Sequence, residues 1–257
     1  MMTDFLEAFD FLRTATFNPS DKANKEICFD KKKLEYLPSQ KSVDKIHDYC
    51  YKKVTSELKS LSFLELRKFL VTFLTAYNGR RVGEIASLTI SAFQEAKEGR
   101  WVSQKSDVSD DIRQLNTENI VTFITGKTEN VVSVIIPTGL IQALDLISDP
   151  VYRSSKEIVS SNAYLFPSLH GSMGHCLGTN EVSSVCRLLK VEDFTSTKNR
   201  HWQATVYRKY GVSDQNMYQH WGHSAAMNKS RYQSAPGLEA LKKVAPNLKK
   251  FSGVSKM

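Results

Sequence analysis

The stretch HWGHSAAMNKSRYQ, His220 to Gln233, packs a glycine, two histidines, an arginine and a tyrosine into the length of one turn and helix. Tyr232 has two readings there. It is a core aromatic, as most of the chain's ten tyrosines must be, or it is a nucleophile. A phenol ionises near pH 10, so a nucleophilic tyrosine needs cations close by to favour its phenolate; Arg231 stands beside it. Further upstream, AYNGRRVGEIASL sets Arg81, Glu84 and Leu88 at offsets of three and seven. Arg81 can present its planar fork to a phosphate with Glu84 holding it from one helical step away. The alternative is a solvated Arg–Glu pair on a helix. Lys127, in TGKTE, is a turn lysine or a point charge and proton donor that swings into a groove. TSTKNRHWQAT supplies Arg200, which lies 23 residues before His223, and Tyr232 follows His223 by nine.

These residues need elements to carry them. From Ser42, Val43, Ile46, Tyr49, Cys50, Val54 and Leu58 recur at helical spacing. A second apolar helix, FLELRKFLVTFLTAY, is interrupted at Gly79, and IASLTISAF continues after it. The charged, serine-bearing residues 95–116 predict a surface loop. In NIVTFITGKTENVVSVIIP two β-branched runs flank GKTEN and Pro137 closes the second, which predicts a hairpin with Lys127 in its loop. TGLIQALDLIS is helical again, residues 150–180 mix Ser, Pro and Gly, and helices follow to about Leu248. The expected fold is mainly α with a small antiparallel β-sheet (α+β), without internal repeats.

Composition narrows the partners. Lysine plus arginine is 35 against 27 aspartate plus glutamate, a net charge of +8, which is compatible with a nucleic acid. No stretch approaches a membrane helix, and the acids in MMTDFLEAFDFLRTATF exclude a signal peptide. Cys28, Cys50, Cys176 and Cys186 form no CxxC and read as reduced thiols of an intracellular protein. His175-Cys176 lacks the paired ligands of a metal site.

With these motifs in order, the chain resembles the catalytic domain of the tyrosine recombinases, the phage-integrase family. The family's TG-x-R-x-x-E-x-x-x-L is matched by Asn78, Gly79, Arg81, Glu84 and Leu88, and its LGHS by WGHS. Both spacings around His223 are those of the family, and the likeness runs from about Ser42 to Phe251. The resemblance implies that family's catalytic-domain fold and DNA breaking and rejoining, of the site-specific recombination or integration type, through a 3′-phosphotyrosyl intermediate. It implies Arg81 and Arg200 as phosphate clamp, His223 as a third donor, Lys127 as acid for the departing 5′-oxygen and Tyr232 as nucleophile. It implies no cofactor or metal, and double-stranded DNA as partner. The helical tail, with Leu238, Leu241, Val244 and Leu248 beside four lysines, docks on its own body or, as in the family, on a neighbouring protomer. Trp221 reads as packing beneath the turn.

Two departures stand out. The family's first histidine falls on Thr197, which is no general base at neutral pH. TSTK-x-R is similar to recombinase-like genes of animal genomes descended from mobile elements. Residues 1–40 form a segment or linker too short for the family's separate DNA-clamping domain, ahead of a catalytic domain at 41–251 and a tail at 252–257. The chain is accordingly expected to be a fragment or a degenerate copy, nuclear if its host is eukaryotic. Three readings stay open: an active strand-exchange enzyme, a DNA-binding module that kept the fold and lost the reaction, and a protein-interaction scaffold.

Overall fold

Helix α1, Gln40–Ser56, starts where Ser39 accepts the Ser42 N–H at 3.1 Å on its side-chain oxygen. Of the predicted stripe it buries Val43, Ile46, Cys50 and Val54, Tyr49 is half-buried, and Leu58 falls into a following 3-10 turn, Leu58–Ser60. Helix α2, Phe63–Asn78, opens with a reciprocal cap: Ser62 and Glu65 each accept the other's backbone N–H. Every residue from Phe69's neighbour Leu70 to Asn78 is buried, so α2 is the central helix, wrapped on all sides. The computed structural model describes residues 37–99, 117–125, 131–169, 171–213, 216 and 220. The chain divides into Met1–Leu37 and Pro38–Met257, and the elements below belong to the second.

Gly79 ends α2 in the left-handed region, φ 59°, where a side chain is strained. What the sequence reads as one continuing helix is two: α3, Val82–Ala86, and α4, Ile90–Lys97. Thr89 divides them, because its hydroxyl accepts the Ala92 N–H at 3.2 Å and restarts the helix. The predicted loop therefore begins later than residue 95, and residues 100–116 lie outside the described residues.

Strands β1, Asn119–Thr125, and β2, Val131–Pro137, pair antiparallel from Asn119↔Pro137 to Thr125↔Val131. The hairpin expected from the two β-branched runs is present, and α4 covers β1, with Thr122 donating to the Ala92 carbonyl at 3.0 Å. A 3-10 turn, Thr138–Leu140, leads into α5, Ile141–Ser148, and Asp149 caps the short α6, Pro150–Ser154. Helix α7, Thr179–Leu189, packs on α2 together with α1. Gly178 permits close approach to α2 and α3: a Cβ there would sit 2.5 Å from Val82 Cγ2 and 3.4 Å from Val71 Cγ1. Arg67 of α2 ties the layer down, reaching Glu181 at 2.8 Å and the Pro167 carbonyl at 2.7 Å. Helix α8, Ser196–Lys209, is the last described helix.

The fold is mainly helical with a two-stranded antiparallel sheet. Cys50, Cys176 and Cys186 are buried free thiols; burial pushes the last two up to about 11, away from reactive thiolate. Cys28 lies outside the described residues. Among the described residues no helix is long and apolar enough to cross a membrane.

Candidate nucleic-acid interface

A helix end leaves carbonyls without intrahelical partners. At the end of α2 those of Ala76 and Tyr77 point at α8, which answers with amides. Asn199 Nδ2 donates to Ala76 O at 2.9 Å, and Gln203 Nε2 donates to Ala76 O at 2.7 Å and Tyr77 O at 3.2 Å. Tyr207, one helical step further, donates to Gln203 Oε1 at 3.4 Å. Asn199, Gln203 and Tyr207 thus form a buried stripe at four-residue steps, and that stripe seats α8 on the end of α2. Arg200 sits next to the stripe, so seating α8 brings it to the Gly79 turn.

The same turn holds the hairpin. Among the described residues no strand pairs with the outer edge of β2, and side chains fill the role. Asn78 acts as a strand would: Ile135 N–H donates to its Oδ1 at 2.8 Å, and its Nδ2 donates to Ile135 O at 2.9 Å. Two residues along, the Ser133 carbonyl accepts from Arg80 Nε at 3.1 Å. Arg80 is fully buried and its Nη2 also donates to the carbonyl of His220. Burial pushes the Arg80 guanidinium down to about 9; Glu84 opposes that shift, while Arg200 and Arg81 add to it. It remains a cation at neutral pH.

Arg81 starts α3. Its backbone N–H donates to Glu84 Oε2 at 3.3 Å and its Nη1 to Glu84 Oε1 at 3.0 Å. The Glu84 side chain is 5% exposed and that of Arg81 is 46% exposed. One edge of the fork is pinned from below while the remainder faces solvent. Arg200 is buried, and burial pushes it down to about 10, helped by the charge of Arg81 and opposed by Glu84. Three guanidiniums, Arg80, Arg81 and Arg200, therefore lie within electrostatic reach of one carboxylate, Glu84. Such a cluster attracts an anion, and the half-exposed fork of Arg81 is where one can reach it.

Of the residues singled out by sequence, the structure thus gathers Arg81 and Arg200 about Glu84. Thr197 is exposed on the first turn of α8. Lys127, His223 and Tyr232 lie outside the described residues, as do Trp221 and the C-terminal tail. The β-strands bracket Lys127, since Thr125 and Val131 pair. Sequence reasoning missed Arg80, Asn199, Gln203 and His220. The four-residue step from Asn199 to Gln203 to Tyr207 was the available signal for α8; for Arg80 there was only its place beside Arg81.

No protein-family model and no curated protein matches the chain. Solved structures are similar to it. One is a XerH site-specific recombinase bound to difH substrate in a pre-cleavage complex, at 13% identity and TM-score 0.44, covering 69% of this chain and 46% of that one. The same recombinase with palindromic difH substrate, post-cleavage, gives 12% identity and TM-score 0.49, over 86% of this chain and 54% of that one. A XerA recombinase gives 18% identity and TM-score 0.45, over 95% of this chain and 82% of that one. The chain thus spans about half the length of the XerH chains it matches.

Proposed function

We propose that the chain breaks and rejoins double-stranded DNA through a covalent tyrosyl–DNA intermediate, with a backbone phosphate seated against Arg81 and Arg200. The observation that carries this reading is the gathering of three guanidiniums on the single carboxylate of Glu84, with Arg81 half exposed. Cations buried beside one another repel, and an arriving phosphate relieves that repulsion. Glu84 fixes the Arg81 fork before the phosphate arrives, so little reorganisation is needed when charge grows on the non-bridging oxygens.

The order of motifs in the sequence supplies the remaining roles. Tyr232 Oη attacks phosphorus and the bond to the 5′-oxygen breaks. Lys127 gives that oxygen its proton, and His223 adds a donor to the non-bridging oxygens. The phenolic proton passes to solvent, because Thr197 is no base. The phosphotyrosyl ester conserves the bond, and rejoining reverses the step. Exposed Thr197, at the position of the family's first histidine, favours a second reading: a DNA-binding module that keeps the phosphate site and has lost cleavage.

A nicked suicide duplex, from which the cleaved strand diffuses away, separates the two readings. The enzyme reading expects a covalent adduct with the parent chain and none with Tyr232→Phe, whose DNA affinity is retained and whose stability falls by no more than roughly 1 kcal/mol. Thr197→His is expected to raise the adduct yield. If neither the parent nor Thr197→His forms an adduct, cleavage is excluded and the binding module stands.

A further inference from the structure

Arg80 is the largest fully buried side chain of the described residues, yet it lies directly beside the half-exposed Arg81. A buried arginine is costly unless its donors are used, and an apolar side chain of similar volume often serves as well. Here Nε and Nη2 are used on backbone, while Nη1 has no partner among the described residues. Nε and Nη2 donate to the Ser133 carbonyl of β2, and Nη2 donates to the carbonyl of His220. The His220 ring returns to the same strand, with Nδ1 and Ser133 Oγ 3.2 Å apart, and both residues are buried. One guanidinium thus joins three chain segments distant in sequence: the Gly79 turn, the hairpin and the His220 segment.

Each of those segments carries a residue of the proposed reaction. Arg81 is the next residue after Arg80, Lys127 precedes Ser133 by six positions, and His223 follows His220 by three.

We infer that Arg80 is a positioning residue of the DNA-cleavage site, a buried tie that sets β2 and the His220 segment in register with Arg81; this rests on the reading proposed above. Arg80 itself touches no DNA, because it is fully buried.

The test is single-turnover adduct formation on the nicked duplex at saturating DNA, beside the dissociation constant for the same DNA. Displacement of reacting groups by about 1 Å lowers a rate on the order of 100-fold. Arg80→Met is expected to slow adduct formation by about that factor with a dissociation constant within about threefold of the parent's. Arg80→Lys, which keeps the charge and reaches one carbonyl, is expected to recover part of the rate. An unchanged rate, or a rate and affinity that fall together, overturns the inference. Should Arg80→Met fail to fold, Arg80→Lys carries the same test. Should the parent form no adduct, the cleavage reading has failed by itself, and amide hydrogen exchange decides the tie. Arg80→Met or Arg80→Lys must then speed exchange at 131–135 and around 220 while leaving 179–189 unchanged, and uniform or unchanged exchange overturns it.

Discussion

The middle and the C-terminal end of α2 are held by different physics. Along its middle, Leu66, Leu70, Phe73 and Leu74 are fully buried, and α1 and α7, which pack on α2, bury the largely apolar Val43, Ile46, Cys50 and Val185, with the His47 ring against Phe73. At its C-terminal end the buried polar groups include Asn78, Arg80, Asn199, Arg200, Gln203 and His220. Apolar contact is non-directional and tolerates changes of shape at modest cost. Hydrogen bonds to carbonyls fix distance and angle together. The middle therefore supplies stability and the end supplies position, and it is at the end that Arg81 and Arg200 come together.

That contrast can be broken from either side. Leu70→Ala deletes buried methyl groups and is expected to cost about 2–5 kcal/mol in urea unfolding, while the adduct rate per folded molecule stays within about twofold. Arg200→Lys keeps a charge and loses the fork. It is expected to slow adduct formation by roughly 100- to 1000-fold, the usual consequence of removing one fixed donor, with the helical circular dichroism retained. If Leu70→Ala slowed adduct formation by the folded chain as much as Arg200→Lys, the division of labour would be wrong.

A smaller effect sharpens the picture at His220. Burial, with the charge of Arg80 beside it, holds the His220 imidazole well below the usual histidine range. Below about pH 6.5 the unfolded chain takes up a proton at this residue and the folded chain does not. Its contribution is therefore intact above that pH and is lost on acidification, by at most about 1.4 kcal/mol per pH unit. Urea midpoints measured between about pH 7.5 and pH 5.5 should fall more steeply for the parent than for His220→Asn. Parallel slopes would mean that His220 is protonated in the folded chain.

The same division explains what the sequence disclosed. Apolar spacing marked α1 and α2, because burial of a stripe is written in periodicity: Val43, Ile46, Cys50 and Val54. Gly79 marked the end of α2, and two β-branched runs marked the hairpin. The Arg81–Glu84 pairing was readable because both partners lie within one turn. The restart at Thr89 was not, since a threonine between apolar residues reads equally well inside a helix. The junction itself was hidden. Asn199 meets Ala76, and Arg80 meets Ser133 and His220, across distances in sequence that no local pattern records. An arginine beside another arginine looks solvated until a strand edge is found to need its donors.

The central claim is that the cluster around Glu84 receives a DNA phosphate through Arg81. Each phosphate contact to duplex DNA releases counterions, and the logarithm of the binding constant falls against the logarithm of salt concentration with a slope of about −0.9 per contact. The direct test is that slope for the parent chain and for Arg81→Gln on the same duplex. The account predicts weaker binding by Arg81→Gln and a slope shallower by about 0.9, the loss of one contact. Equal affinity and equal slope for the two chains would contradict it.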